Sequence, residues 1–509
     1  MAGKTDDNES ASRFSPRHIL VHLFAEHGSL KQKAIRSSVW VLLGNGISQL
    51  ATLVRTVVLA RLLSPDDFGV MAVAVMVLGG LDAFTQTGYQ AALIQRPGDI
   101  RGHLNTTFSI QALRGFVLAG LLYAVAPFIG VFFHNAEAVP VVRTISIAVL
   151  IQGFINPATV FFQKELNFKR QVFWNLSDSL TGLVVGVALA FVLRNVWALV
   201  GAYIASAVVR TGVSFVMHPY RPRPRIDWAC ARELTRYGRW VFGTNMLGYL
   251  STNLDLAVVG RMLGTIGAGF YQVAYRISNL PATVMVQIFS NVAFPLYAKV
   301  QTDAQKLRRI FFLGLDAALL MGLPVALFFA ILAKPLTVVV LGGKWLPAAV
   351  GLQILAIYGF LRMVAALGGV LFDGIGHPAC DTKMNIFRFV ALAGLIYPFT
   401  RQWGLVGAAA AAVCSISVTL PYWLFRCADF LGMSPGEIMR HVLWRLALVL
   451  FGCAVPLIGL AILLPVQQLW ALLLTILTTL LIYGAVTFSQ IRALVNGSFA
   501  TLQRVENSS

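Results

Sequence analysis

From Ser38 to Phe488 the chain is a succession of apolar runs separated by short polar breaks. Each run is about the twenty residues that a helix needs to span the hydrocarbon core of a bilayer. The runs lack period-two alternation, which argues against barrel strands and for helices that satisfy their backbone groups internally. Fourteen spans are predicted. The first six are Ser38–Leu63, Phe68–Leu93, Thr107–Phe133, Ala138–Phe162, Gln171–Leu193 and Val196–Met217. After the polar stretch His218–Arg239 come Trp240–Leu263, Ile266–Phe294, Ile310–Ala333, Leu346–Phe372, Lys383–Thr400 and Trp403–Phe425, then Val442–Leu464 and Leu469–Phe488. The expected fold class is all-α and polytopic. Its parts are a polar tail (1–37), a six-helix lobe (38–217), a basic linker (218–239), a second six-helix lobe (240–426), two further helices (427–489) and a tail (490–509).

The breaks repeat. Arg55–Gly69 reads RTVVLARLLSPDDFG and Gly260–Gly269 reads GRMLGTIGAG, so Arg61 matches Arg261, Leu63 matches Leu263 and Gly69 matches Gly269. Trp197–Ala202 (WALVGA) likewise matches Trp403–Ala408 (WGLVGA). The first half is copied into the second at a spacing of roughly two hundred residues. Six spans is an even number, so both halves enter the membrane from one side. The repeat is parallel, its axis lies along the membrane normal, and a cavity is expected between the halves.

Composition then assigns the sides. The chain is 57% hydrophobic and 12% charged, with a net charge of +19. Twenty-eight of its 40 Lys and Arg residues fall on the side that holds both termini, seven on the other and five within spans. Positive loops stay cytoplasmic, so both termini are expected inside. The same asymmetry explains the net charge through anionic headgroups, without nucleic acid. The outside turns are too short for work on an external polymer. No cleavable signal peptide is seen. Ile19–Phe24, interrupted by His22, is either a surface helix or part of a partly ordered tail. The cysteines Cys230, Cys380, Cys414, Cys427 and Cys453 have no metal spacing and read as unpaired thiols.

A charge at mid-bilayer costs about 2.5–3.5 kcal/mol even on a lenient scale. Nine residues need a reason. Arg114, Asp178, Asp316 and Arg210 lie near the inner ends of their spans, where long side chains can reach the interface. Arg55, Asp82, Asp255, Arg276 and Arg362 lie deeper. Arg55 and Asp255 are separated by the repeat offset and should take equivalent places. Either they form an ion pair holding the halves together, or they line the cavity and engage substrate or a coupling ion. Arg276 and Arg362 have no opposite repeat partner. A guanidinium grips phosphate with two parallel hydrogen bonds and stays charged when buried, which suits an anionic, phosphorylated substrate. The substrate-binding candidates are therefore Arg55, Arg276 and Arg362. The coupling or gating candidates are Asp82, Asp255, Arg61 and Arg261. Pro157, Pro281 and Pro324 interrupt spans as hinges or static bends. No nucleophile elbow, P-loop or HExxH is present, and no cofactor or metal is expected.

Several of these stretches resemble polysaccharide flippases of the Wzx type, in the multidrug/oligosaccharidyl-lipid/polysaccharide exporter superfamily. They are Leu59–Gly69 (LARLLSPDDFG), Gly88–Arg96 (GYQAALIQR), Glu165–Arg170 (ELNFKR), Leu254–Leu263 (LDLAVVGRML), Gly269–Pro281 (GFYQVAYRISNLP), Phe294–Lys299 (FPLYAK) and Leu341–Leu355 (LGGKWLPAAVGLQIL). The likeness runs from about Ile35 to Phe430 and is nearest the colanic-acid and lipopolysaccharide exporter subgroup. It implies an oligosaccharide on an undecaprenyl pyrophosphate carrier, flipped across the bacterial inner membrane by alternating access around a cationic cavity. Partners would be membrane lipids and the pathway's glycosyltransferases and polymerase. The competing readings are a cation or drug antiporter of the same superfamily, and a membrane polymerase or acyltransferase. The first wants buried carboxylates without excess arginine. The second wants a His or Asp cluster or a large outside loop.

Overall fold

A computed structural model describes residues 30–85, 100–165, 167–301 and 303–506, together with Tyr89 and Leu93. The expected surface segment Ile19–Phe24 lies outside the described residues, as does most of the Gly88–Arg96 motif. Among the described residues every regular element is a helix, as the unalternating apolar runs require.

The α-helices of at least twelve residues are, in chain order, α1 (Leu30–Leu62), α2 (Pro65–Thr85), α3 (Arg101–Phe132), α4 (Ala138–Gly153), α5 (Phe168–Leu193), α6 (Trp197–Met217) and α7 (Trp228–Ile288). Then follow α8 (Ala304–Ala317), α9 (Ala348–Gly374), α10 (Pro378–Ser417), α11 (Leu420–Leu431), α12 (Pro435–Val449) and α13 (Leu469–Glu506). By length and hydropathy 10 helical runs among the described residues qualify as spans, or 11 if the bent pair Ala138–Gly153 and Pro157–Lys164 is one span. Fourteen spans were expected, and two of these runs each cover two of them. The predicted span Ala138–Phe162 is bent by 68° at the break before Pro157, where an interruption was expected. Two of the qualifying runs, of 52 and 54 residues, are far longer than one crossing needs. Each breaks at a glycine with positive φ, Gly264 (φ 72°) and Gly404 (φ 56°), a conformation that a Cβ disfavours. These glycines stand where the predicted spans meet.

Proline shapes the second half. Five-residue wide turns at Phe289–Ala293, Ala318–Gly322 and Leu450–Ala454 lie just before Pro295, Pro324 and Pro456. Proline lacks an N–H and crowds the carbonyl four residues back, and a widened turn relieves that crowding. The linker is not a free loop. An extended stretch from His218 runs along the start of α3. Asn105 Oδ1 accepts from Tyr220 Oη (2.7 Å) and Arg223 N (2.8 Å). Ser109 Oγ accepts from Arg225 N (2.9 Å), and Thr106 Oγ1 from Asp227 N (3.1 Å). Helix α7 then begins at Trp228 inside the predicted linker.

Helices α1, α5 and α6 pack together, as do α3 and α4, and in the second half α7, α9 and α10. The most extensive contact joins α2 to α7 across the two halves. At its tight end Gly69 and Gly269 face each other. A Cβ on Gly69 would strike the Thr265 carbonyl, and one on Gly269 would strike the Pro65 carbonyl. Equivalent residues meeting reciprocally is what a local twofold axis produces. A continuous core fills the space around this seam, with Tyr271, Tyr297, Phe311 and Trp345 wholly enclosed.

Candidate functional site

The signature turn begins with chemistry legible in its letters. Ser64 precedes Pro65, the first residue of α2. Its amide donates to Asp67 Oδ2 (2.8 Å), and the Asp67 amide donates back to Ser64 Oγ (3.1 Å). This reciprocal cap fixes where α1 ends and α2 starts. The turn then serves as an anchor for the other half. Arg61 Nε donates to the Val340 carbonyl (2.9 Å), and Arg61 Nη2 bonds the Val339 carbonyl. Lys344 Nζ returns to the Arg61 carbonyl (2.9 Å), and Trp345 Nε1 donates to the Ala60 carbonyl (2.8 Å). The repeat-equivalent Arg261 does the converse. Its Nη1 donates to the Phe132 carbonyl at the end of α3 (2.9 Å), beside His134, and its guanidinium lies over the Phe132 ring (5.2 Å). Asn135 Nδ2 donates to Thr265 Oγ1 (2.8 Å), which in turn bonds Asp66. The two halves are thus laced together at this end, each arginine held by the other half's carbonyls.

Away from the lacing, the halves separate around two adjoining chambers. One, of about 310 Å³, is lined by Arg55, Arg276, Thr56, Gln272, Tyr203 and apolar side chains of α1, α2 and α6. The other, of about 240 Å³, is lined by Arg276, Arg362, Gln49, Thr52, Thr252 and Asn279 among others. Thr56, Gln272 and Arg276 line both. Arg276 lies mid-helix, yet it is exposed and lines both chambers. Arg362 Nη1 donates to Asn279 Oδ1 (3.2 Å). Arg55 lies against Gly182, where a side chain would displace it, and within electrostatic range of Asp178 and Arg276. Of the substrate-binding candidates, Arg55 therefore lines the larger chamber, Arg362 the smaller, and Arg276 both. No carboxylate lines either chamber among the described residues.

The other charges fall differently from expectation. The Arg55–Asp255 pair does not form. Asp255 is enclosed in the second half, accepting from Tyr271 Oη (2.6 Å) and the Leu256 amide (2.8 Å), with Arg388 as its nearby cation. A row of rings, Tyr271, Tyr275 and Tyr358 at 6.1 and 6.0 Å, stands between it and the chamber that Tyr275 lines. Asp82 is also off the central cavity. It is ion-paired with Arg114, whose Nε donates to Thr85 Oγ1 (3.1 Å). Both line a separate cavity of about 200 Å³ within the first half, with Arg210, which stacks on Trp174 (4.5 Å). Arg114 and Arg210 are held by these partners rather than reaching for an interface. Asp316 likewise accepts from Arg445 Nε (2.8 Å) and Nη2 (3.1 Å) and contacts His441 Nε2 (2.8 Å), so it ties α8 to α12. Sequence reasoning missed this cluster because Arg445, at the inner end of the span Val442–Leu464, was counted only among the cytoplasmic positive charges. It also passed over the neutral polar lining. The signal was present: Gln49, Thr52 and Thr56 on α1, and Gln272, Arg276, Asn279 and Thr283 on α7, recur at three- and four-residue steps along one helix face.

Comparison with known proteins matches residues 58–350 to the family described as polysaccharide biosynthesis protein. The chain is 27% identical over 381 residues to the lipopolysaccharide biosynthesis protein WzxC of Escherichia coli (strain K12), covering 74% of this chain and 77% of that one. It is 24% identical over 339 residues to the succinoglycan biosynthesis transport protein ExoT of Rhizobium meliloti (strain 1021), covering 67% and 69%. In fold it is similar to the lipid II flippase MurJ in an inward closed conformation, with a TM-score of 0.71 at 15% identity, covering 89% of this chain and 99% of that one.

Proposed function

The chain belongs to the polysaccharide biosynthesis protein family, and from that premise we propose that it flips lipid-linked oligosaccharide units across a membrane for polysaccharide synthesis. It is a multi-pass transporter of the multidrug/oligosaccharidyl-lipid/polysaccharide exporter superfamily and not an enzyme. The observation that supports the finer reading is the placement of Arg55, Arg276 and Arg362 on two adjoining chambers between the halves, with Arg276 common to both. Arg55 has Asp178 within electrostatic range, and no carboxylate lines either chamber among the described residues, so the lining offers positive charge to an incoming group. A pyrophosphate diester carries two negative charges, and arginine forks bind its oxygens in pairs. The substrate in this reading is an oligosaccharide on a polyprenyl pyrophosphate carrier.

The laced end bears the outside turns in the positive-inside assignment, so the cavity is closed outward and the substrate enters from the cytoplasm. Release requires the Arg61 and Arg261 contacts to break, which makes these two arginines the gate. The protein would sit in the bacterial inner membrane with both termini cytoplasmic, beside the glycosyltransferases and polymerase of its pathway. Asp255 and Asp82 remain the candidates for coupling to an ion gradient, acting from behind the cavity wall rather than within it. A cationic-drug antiporter is disfavoured by the same lining, which offers such a substrate guanidinium groups and no carboxylate.

The test replaces Arg276 and Arg362 by alanine and measures surface polysaccharide in cells making normal amounts of the protein. Each substitution should reduce export at least about tenfold, the loss equivalent to one charge-assisted contact. Arg276→Lys should retain part of the activity, because the charge stays and the fork is lost. Normal export by both alanine variants would overturn the reading.

A further inference from the structure

The smaller chamber differs in chemistry from the larger. Its wall carries neutral hydrogen-bonding side chains drawn from both halves: Gln49 and Thr52 on α1, and Thr252, Gln272, Asn279 and Thr283 on α7. Their hydrogens are already apportioned. Thr252 Oγ1 donates to the Gly248 carbonyl (2.8 Å), and Thr283 Oγ1 to the Asn279 carbonyl (3.0 Å). A hydroxyl has one hydrogen to give and two lone pairs to accept with. These threonines therefore spend their donor on their own helix and present acceptors to the chamber. Asn279 is committed as well, its amide donating to the Tyr275 carbonyl (3.1 Å) and its oxygen accepting from Arg362. Gln49 and Gln272 line the chamber with carboxamides that can both donate and accept. Arg276 and Arg362 supply donors only.

A ligand group suited to this wall must donate to hydroxyl lone pairs, exchange bonds with carboxamides and bring no positive charge. An ammonium would meet two guanidinium groups with no carboxylate among the described lining residues. A second phosphate would leave the threonine acceptors unmatched. A neutral polyol satisfies every condition, because each sugar hydroxyl both donates and accepts. We propose that the chamber walled by Gln49, Thr52, Thr252, Gln272 and Thr283 is the glycan subsite. It receives the neutral sugar attached to the pyrophosphate and excludes sugars bearing a free amine. Arg276, common to both chambers, marks the junction between phosphate and sugar. The assignment rests on the lipid-linked oligosaccharide reading above and adds to it which side chains read the sugar.

The experiment compares three probes on the purified full chain in lipid nanodiscs: bare undecaprenyl pyrophosphate, the same carrier bearing one neutral hexose, and the carrier bearing glucosamine with its free amine. The wild type should bind the hexose form about tenfold more tightly than the bare carrier, the gain expected from one or two good hydrogen bonds. The glucosamine form should bind no better than the bare carrier. Gln49→Leu with Thr252→Val, two residues that line the smaller chamber and not the larger, should bring the hexose preference within about twofold and leave affinity for the bare carrier unchanged. Gln49→Met and Thr283→Val, each smaller in effect, serve if the double variant does not fold. Equal wild-type binding of bare and hexose carriers would overturn the subsite, as would a preference that survives these substitutions. Failure of the wild type to bind any of the carriers would instead overturn the transport reading itself.

Discussion

Single residues show how narrowly a buried charge is placed. Arg55 and Asp255 stand at the repeat offset, yet their side chains meet different partners. Arg55 is near Asp178 of α5, and Asp255 is held by Tyr271 with Arg388 of α10 nearby. The two halves therefore carry the same helix pairing with the signs reversed. The exchange Arg55→Asp with Asp255→Arg should not restore function lost in either single variant. A double-mutant cycle on this pair, read by thermal melting, should be additive within about 0.5 kcal/mol. The cycle on Arg55 and Asp178 should show coupling of the order of 1 kcal/mol. Asp316 makes a second case. Its side chain is 15% exposed and that of Arg445 is 17%. Arg445→Ala leaves a largely enclosed carboxylate without its two-pronged partner and should cost about 3 kcal/mol. The expected readout is a lower melting temperature and protease cutting around α12.

At the scale of elements, the close seam between α2 and α7 depends on having no side chain at two places. Gly69→Ala or Gly269→Ala drives a methyl into a carbonyl oxygen of the facing segment and must push the two helices apart there. A cysteine placed at Thr56, a buried position lining both chambers, reports on that seam. Its labelling by an impermeant maleimide added outside the cell should be slow in the parent. It should rise several-fold with either alanine. Unchanged labelling would mean that the seam is not the barrier. The helix breaks were only partly readable beforehand. Pro157 announced a bend, and the bend is there. Gly264 and Gly404 stand at the predicted junctions, but their positive φ values let the helices on either side meet without a loop. The linker was expected to be a plain polar loop. Asn105, Thr106 and Ser109 are unremarkable letters until the chain that returns beside them supplies amides for them to bind.

Across the whole molecule the two arginines of the lacing are equivalent in position, and each bonds the other half, Arg61 through two carbonyls and Arg261 through one carbonyl beside His134, so both should contribute to closure. Arg61→Ala and Arg261→Ala each remove charge-assisted bonds worth about 1.5–3 kcal/mol and should raise outward opening tenfold or more. The same cysteine at Thr56 measures it, and a large difference between the two variants would argue against a symmetric gate. The sequence by itself determined that the chain is helical, membrane-spanning, duplicated and rich in deep arginine. A bilayer leaves an apolar run only one common solution, and charge in it is too costly to be accidental. Only the tertiary structure decided which of those charges meet, and which of them line the cavity. A change of one residue in register turns a side chain about 100° around its helix. Depth and repeat spacing alone therefore left Arg55, Asp82 and Asp255 looking alike, and packing of helix against helix sent the first to the cavity and the other two behind its wall.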